Sequence, residues 1–160
     1  MKRLCIIPCG AKKLWDRHPD TEGPVEAERA YLGTFHQLCQ SYAKTFFGDD
    51  WVILSAKHGF LRPSDLVPEN YDVRFSTQRP LRNIDLNGFQ RQVWEKGIDA
   101  YEDITILGGR KYAEIVPAIM GETRIYHTPL QGCKGIGYML QKIRGALESG
   151  QELITRPTEG

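Results

Sequence analysis

Four short apolar runs, separated by polar and glycine-rich segments, predict four β-strands. They occupy residues 3–8, 50–55, 103–109 and 123–129. Pro8 and Pro129 end the first and the last run, and proline is tolerated at the end of a strand but not in its middle. The run DWVILS is apolar enough to be covered on both faces, as strands of a parallel sheet are.

Apolar residues near helical spacing fill the segments between these runs and predict four α-helices. The helices are expected within residues 25–47, 87–101, 110–120 and 138–149. Gly33 interrupts the first pattern and Gly48 ends it, while Gly97 weakens the second. Pro117 lies inside the third, where a proline kinks or shortens a helix. Residues 56–86 show little periodicity, and so long a connection is usually functional or holds short elements.

The alternation of strands and helices predicts an α/β fold with three layers, α/β/α, around a mostly parallel sheet of about four strands. The chain has 160 residues, of which 41% are hydrophobic, and this suits one domain at residues 1–150 with a flexible tail at 151–160. No run approaches the roughly 18 apolar residues of a transmembrane helix. The first apolar run has four residues, too few for a signal peptide, so we expect a cytoplasmic protein.

The distribution of charge indicates the kind of ligand. A net charge of +1 argues against a broadly basic nucleic-acid-binding protein. The cations are nevertheless clustered, because Lys2, Arg3, Lys12 and Lys13 fall within the first 13 residues and no acid accompanies them. A local positive site on a nearly neutral chain suits a small anionic ligand.

An unusual loop follows each predicted strand. In chain order the loops are PCGAKK, AKHGFLRPSD, GGRKY and TPLQGCKGIG. The carboxyl ends of parallel strands meet at one edge of the sheet, where such folds bind their ligands. We therefore expect these loops to supply cations that hold an anion and glycines that let the backbone approach it. The substrate-binding candidates among them are Gly10, Lys12, Lys13, Ser55, Lys57, Gly59, Gly108, Gly109, Arg110 and Gly135.

The segment LGGRKY has two interpretations. Gly108 and Gly109, placed before a helix, leave backbone N–H groups free for a phosphate, and Arg110 adds a bidentate donor. Alternatively, the two glycines only make a tight turn from strand to helix. The segment GCKGIG has neither the GK[ST] ending of a P-loop nor the spacing GxGxxG, so we exclude P-loop nucleotide hydrolysis.

Three residues are candidate catalytic groups. Cys9 precedes two lysines, and nearby cations favour the reactive thiolate, although a small cysteine buried in a turn is the alternative. His58 can act as a general acid or base, or can simply hydrogen-bond the loop backbone. Asp72, beside Tyr71, can stabilise the oxocarbenium-like transition state of N-glycosidic bond cleavage. Its alternative role is that of a turn residue or helix cap.

Aromatic residues and cysteines give further candidates. Tyr31 and Phe35 can stack on a base or can pack in the core, and Tyr71 is expected to contact the substrate. Cys133 on the fourth loop can approach Cys9, and such a pair can bind a metal or form a redox disulfide. The four cysteines of the chain include no CxxC pair, however, and we predict no cofactor and no metal site.

Five segments together resemble a poorly characterised bacterial and phage domain family with a PC(S/G)xxK loop and an SAKxGxL…P…YD block. The segments are PCGAKK, AERAYLGTFHQLCQSYAK, ILSAKHGFLRPSDLVPENYD, LGGRKYAEIV and LQGCKGIGYMLQKI. The central block also resembles the peroxide-stress YaaA family, which is implicated in DNA binding and iron-linked oxidative stress. The cysteine loop is similar to one in archaeosine-synthase-like tRNA-modification proteins. These resemblances imply a nucleobase, nucleotide or nucleic-acid substrate, and His58 stands where those families usually carry tyrosine.

The leading hypothesis is an enzyme that cleaves an N-glycosidic bond or transfers a base. Asp72 would be the oxocarbenium stabiliser or nucleophile, and His58 would donate a proton to the leaving base. The phosphate would be held by Lys12, Lys57 and Arg110, and the base would stack on Tyr31.

Two other hypotheses remain. One is a non-catalytic module that binds a nucleotide or nucleic acid in stress response or phage defence. The other is a redox or metal protein that uses Cys9 and Cys133. The expected partner is a nucleotide or nucleobase-containing small molecule, with nucleic acid as a further class and no membrane, while the oligomeric state is left open.

Overall fold

A computed structural model describes residues 2–153 and contains a five-stranded sheet in the order β4-β3-β1-β6-β7. The strands are β1 (Arg3–Pro8), β2 (Val25–Glu26), β3 (Trp51–Ser55), β4 (Gly59–Leu61), β5 (Leu66–Val67), β6 (Asp103–Ile106) and β7 (Ile125–His127). The helices are α1 (Leu14–Arg17), α2 (Ala27–Ala30), α3 (Thr34–Phe47), α4 (Leu86–Glu95), α5 (Arg110–Met120) and α6 (Ile136–Ser149), with a 3-10 turn at Ile98–Ala100.

The sheet is parallel except at one edge. Strand β1 is central and pairs in parallel with β3 and with β6, so that Ile6 lies between Val52 and Ile106. Strand β7 continues the parallel set beside β6, whereas β4 turns back antiparallel to β3. The four predicted strands and the mostly parallel sheet are therefore confirmed, and β4 is an additional edge strand within the long connection at residues 56–86.

Alternating side chains of the central strands divide the core into two layers. Cys5 and Ile7 of β1 belong to the same buried cluster as residues of α3 and α6, among them Ile143. Leu4 and Ile6 belong to the opposite cluster, with residues of α4 and α5. Burying one Leu or Ile side chain contributes about 1.5–3 kcal/mol, so this alternation fixes which helices cover which face. The predicted three-layer arrangement is confirmed.

The first predicted helix is shorter than expected. Val25–Glu26 pairs antiparallel with Leu66–Val67, and α2 follows as a single turn. Gly33 then stands before α3 with an extended backbone, because its φ and ψ angles are −60° and 146°. The second predicted helix ends earlier than expected, because α4 stops at Glu95 and Gly97, whose φ of 70° is left-handed, separates it from the 3-10 turn. The third predicted helix runs from residue 110 to 120 with Pro117 inside it.

The start of the predicted tail is docked on the domain. Glu152 forms an ion pair with Arg3, and the backbone N–H of Leu153 donates to the Tyr42 hydroxyl at 3.1 Å. Residues 154–160 of that predicted tail lie outside the described residues. Within residues 2–153 there is no helix whose length and apolar character would let it cross a membrane.

Candidate functional site

A pocket of about 210 Å³ lies at the carboxyl edge of the sheet, between the loops that follow β1 and β6. The chain leaving β1 continues to α3 on one face, whereas the chain leaving β6 enters α5 on the opposite face. Neighbouring strands whose connections diverge in this way form the crevice where α/β sheets bind ligands. We name it the switch-point pocket; its lining residues are Cys9, Gly10, Ala11, Lys13, Tyr71, Asp72, Val73, Arg74, Phe75, Lys111 and Tyr112.

Lys13 is the unusual cation of this pocket. It is only 3% exposed, and its ammonium donates to the Ala11 carbonyl at 3.0 Å. It also lies 4.3 Å from the centre of the Tyr71 ring. None of the ion pairs found within residues 2–153 includes Lys13. Burial lowers the pKa of this lysine, because desolvation disfavours its charged form.

Tyr71 is the centre of a buried hydroxyl cluster. Its hydroxyl lies 2.5 Å from that of Tyr31 and 2.7 Å from the Ser55 hydroxyl. Ser55 in turn accepts the backbone N–H groups of Lys57 at 3.3 Å and His58 at 3.1 Å. The turn after β3 is thus tied to the pocket wall by one serine, which explains why a polar residue ends this buried strand.

Cys9 brings a thiol to the same place. It is half-buried at the end of β1, where its backbone N–H donates to the Leu54 carbonyl at 3.3 Å. Burial raises the pKa of Tyr71 to about 12, and the electrostatic effect of the neighbouring Cys9 adds to that rise. The pKa of Tyr112 is raised by the same two causes, burial again being the larger. Cys9, Tyr71 and Tyr112 therefore line the same pocket.

A buried histidine anchors the end of β1 behind the pocket. His36 lies 2.8 Å through Nδ1 from the Pro8 carbonyl and 2.8 Å through Nε2 from the side-chain nitrogen of Gln40. Burial lowers the pKa of His36 to about 4, so the ring is neutral, with its proton on Nδ1. Sequence reasoning did not single out this network; its only signal was a His and a Gln four residues apart on a helix.

His58 lies next to the pocket wall. Its half-buried ring meets the Tyr71 ring edge-on with the centroids 4.9 Å apart. Its Nε2 is buried and has no hydrogen-bond partner among the described residues. Burial lowers the pKa of His58, and the neighbouring Lys57 lowers it further. His58 is therefore a neutral imidazole at neutral pH and contacts the pocket through Tyr71.

Asp72 lies at the mouth of the pocket in contact with water. Its side chain is 82% exposed, and one carboxylate oxygen is 3.3 Å from Nε of Arg74. Lys111 lies on the other side, where its ammonium donates to the Phe75 carbonyl at 3.4 Å. The long connection at residues 56–86 thus supplies the carboxylate of Asp72 and the cation of Arg74 to the pocket, whereas Lys111 comes from α5.

Comparison with known proteins places the chain among proteins of unknown function. Residues 4–144 match a family described as a family of unknown function (DUF6884). The chain belongs to the DUF6884 family. It is also similar to the uncharacterized protein YfjM of Bacillus subtilis (strain 168), with 56% identity over 153 residues, covering 96% of this chain and 100% of YfjM. The expected membership of a poorly characterised family is confirmed, while the likeness to YaaA and archaeosine-synthase-like proteins stays a prediction.

Several predicted phosphate ligands of this DUF6884 chain lie away from the pocket. Lys12 is exposed, and Arg110 is 87% exposed with Glu114 3.9 Å away. Lys57 is paired with Glu69 at 3.9 Å. Lys13, which was among the predicted substrate-binding residues, lines the pocket, and so does Lys111, which was not among them.

Tyr31 is placed where a base has no access to it. Its ring is fully buried and its backbone bridges that of Lys13, so the core interpretation replaces the expected stacking role. Gly10 lines the pocket, whereas Gly135 precedes α6 beside a separate cavity. Gly109 stands before α5 and offers no side-chain cap.

Gly59 and Gly108 are needed for the local backbone conformation. Each has a positive φ, 72° and 131° respectively. A Cβ at Gly59 would lie 1.9 Å from Oε1 of Gln92, and a Cβ at Gly108 would lie 2.9 Å from Cδ2 of Tyr112. Both positions therefore require glycine for the turn itself, and Gly108 allows the Tyr112 ring to lie against the loop.

The two loop cysteines belong to different cavities. Cys133 lines a wider pocket of about 660 Å³ with Tyr138 and Lys142. Cys9 and Cys133 are both free thiols in this DUF6884 structure. Within residues 2–153, no three His, Cys, Asp or Glu side chains are grouped to hold a metal ion.

Proposed function

We propose that the protein is an enzyme that acts on a nucleotide or a nucleobase-containing substrate bound in the switch-point pocket. The observation that carries this proposal is a cavity at the carboxyl edge of the sheet lined by three cations, Lys13, Arg74 and Lys111, and a single carboxylate, Asp72. Cations at such an edge suit a phosphate group, and a carboxylate beside them suits a developing positive charge on a sugar.

The phosphate would be held by Lys13, Lys111 and the start of α5. The first N–H groups of a helix have no partner within the helix, and the helix dipole adds partial positive charge there. Gly109 leaves these groups uncapped by any side chain, and Lys111 and Tyr112 of the first turn already line the pocket. A phosphate would also give the buried ammonium of Lys13 an anionic partner.

The chemistry we propose is N-glycosidic bond cleavage or base transfer. Asp72 would stabilise the oxocarbenium-like transition state from the mouth of the pocket, after its carboxylate leaves Arg74 for the substrate. The lowered pKa of His58 favours its neutral ring, which would accept a proton from the attacking water in place of the proton donation expected from the sequence, and the leaving base would take its proton from solvent. The hydroxyl of Tyr71, which His58 contacts edge-on, would complete the polar wall.

A substitution at Asp72 tests the assignment. Nucleotides that raise the melting temperature of the protein would first be found by thermal-shift screening, and their products would then be analysed. Asp72→Asn should slow turnover by about 100-fold or more while retaining ligand-induced stabilisation, because the amide keeps the shape but not the charge. Asp49→Asn is the matched control, since Asp49 is exposed beyond the carboxyl end of α3, at the opposite edge of the sheet. Wild-type turnover by Asp72→Asn would refute the assignment.

A second candidate function is a non-catalytic module for a nucleotide or nucleic acid, in stress response or phage defence. The exposure of Asp72 and its pairing with Arg74 favour it, because a solvated, ion-paired carboxylate has no special reactivity. Recovery of a stabilising ligand unchanged after prolonged incubation would support the module over the enzyme.

A further inference from the structure

Counting donors and acceptors shows which hydroxyl donates to which in the cluster of Ser55, Tyr71 and Tyr31 behind the pocket. A serine hydroxyl has two acceptor lone pairs and one proton. Ser55 accepts two backbone N–H groups, from Lys57 and His58, so its proton is available to the Tyr71 oxygen at 2.7 Å. Tyr71 therefore accepts a hydrogen bond from Ser55, and its own hydroxyl proton can be donated to another group.

Cys9 brings its thiol to the same cavity as the pocket cations. The residues that line this cavity with Cys9 include Tyr71, Tyr112, Lys13, Arg74 and Lys111. A group that binds these cations would therefore lie beside the thiol.

The ammonium of Lys13 is an independent sign of a ligand in the same cavity. Lysine is almost never fully buried without an anionic partner. Lys13 is 3% exposed and lines the pocket, and its ammonium has a hydrogen bond to the Ala11 carbonyl. An ammonium carries three donors, so two are left for an anion that enters the pocket.

We propose that Cys9 is the nucleophile of the switch-point pocket and that its reaction partner is a small anionic electrophile whose negative group binds Lys13. The thiolate sulfur attacks an electrophilic carbon, the new C–S bond forms, and the leaving group departs with the bonding electron pair. The thiol proton passes to solvent before attack. Cys9 shares its pocket with the proposed nucleotide site, and the chemistry rests on that pocket receiving an anion but not on glycosidic cleavage.

Paired alkylating reagents test the proposal directly. Iodoacetate and iodoacetamide place the same CH₂–I carbon beside a carboxylate or a neutral amide, and in both reactions iodide leaves as the C–S bond forms. The full-length protein would be treated with each reagent, and modification of every cysteine followed by peptide mass spectrometry, folded and in urea. Free thiols react faster with the neutral reagent, so a preference for iodoacetate is a signature of an anion site.

The expected result is specific to Cys9. Its rate ratio of iodoacetate to iodoacetamide should be about tenfold or more higher in the folded protein than in urea, because cations in a cavity concentrate anions. Lys13→Gln should remove this preference, and Lys12→Gln, at the adjacent exposed lysine, should leave it intact. Cys133, half-buried in the other cavity, serves as an internal comparison.

A folded ratio no higher than the ratio in urea would overturn the proposal, and this measurement needs no variant. A Lys13→Gln variant that retains the preference would also overturn it. Failure here is distinguishable from failure of the proposed function. Nucleotide stabilisation with ordinary Cys9 alkylation would refute only the nucleophile, whereas anion-directed alkylation without any nucleotide stabilisation would refute only the nucleotide site.

Discussion

Protonation of His36 should be one of the main causes of acid destabilisation in this protein. The ring is buried and neutral, with Nδ1–H donated to the Pro8 carbonyl and Nε2 accepting from Gln40. A proton added at Nε2 would face the Gln40 amide N–H and would charge a ring that has no anionic partner among residues 2–153. The unfolded chain, in contrast, binds this proton freely below its ordinary pKa.

The size of the effect follows from the two pKa values. The pKa of His36 falls from 6.5 to about 4 on folding, mainly through burial. A separation of about 2.5 on the pH scale, at 1.36 kcal/mol for each pH unit, amounts to about 3 kcal/mol. The stability due to the neutral ring is fully present above pH 6.5 and is lost as pH falls from 6.5 towards 4. Since domains are stable by about 5–15 kcal/mol, the loss is substantial.

Urea denaturation of the wild type and of His36→Asn at pH 8 and pH 4 would measure this loss of stability. Asparagine keeps a side-chain N–H for the Pro8 carbonyl but does not titrate, and both proteins share the same carboxylates. The free energy of unfolding should fall by about 3 kcal/mol more in the wild type than in the variant between these pH values. Equal falls in the two proteins would refute the account of a buried neutral histidine.

Two further predictions concern backbone and termini. Gly59→Ala should lower the free energy of unfolding by about 1–3 kcal/mol in thermal denaturation, because its φ is positive and the new Cβ would displace Gln92, which bonds Phe60 and His58. Gly33→Ala is its control, with ordinary φ and open space, and an equal loss there would contradict the reasoning. A chain ending at Gly150 should be less stable by about 1 kcal/mol than one ending at Leu153, because the Arg3 ion pair and the Tyr42 hydrogen bond are removed. Identical melting temperatures would show that the docked residues contribute nothing.

The parallel sheet could be predicted because its strands are buried on both faces and so appear as continuous apolar runs. The edge strand could not, because Gly59–Leu61 has three residues, too few to show alternation. The pair Val25–Glu26 and Leu66–Val67 is shorter still, and each strand depends on the other across some forty residues of chain. Short strands formed by tertiary pairing leave almost no local signal.

The loops at the pocket could be predicted from the sequence, but only some of its lining residues could: the predicted candidates that line it are Cys9, Gly10, Lys13, Tyr71 and Asp72. The loops after β1 and β6 do line the pocket, as the rule for parallel sheets required. Two adjacent lysines in a loop cannot be told apart from the sequence. In the structure the backbone of Lys13 bridges that of Tyr31, and Lys13 is buried whereas Lys12 is exposed. Tyr112 was overlooked because an aromatic residue in the first turn of a helix is usually a core residue.

The central position of β1 has a consequence for synthesis of the chain. Arg3–Pro8 is synthesised well before one of its partners, because Arg3 pairs with Asp103, 100 residues later. At about 5–20 residues per second, roughly 5–20 seconds pass before β6 can cover that side of β1. During this interval the central strand of the sheet has an open edge, so mutations that slow translation between β3 and β6 would increase aggregation without altering the finished protein.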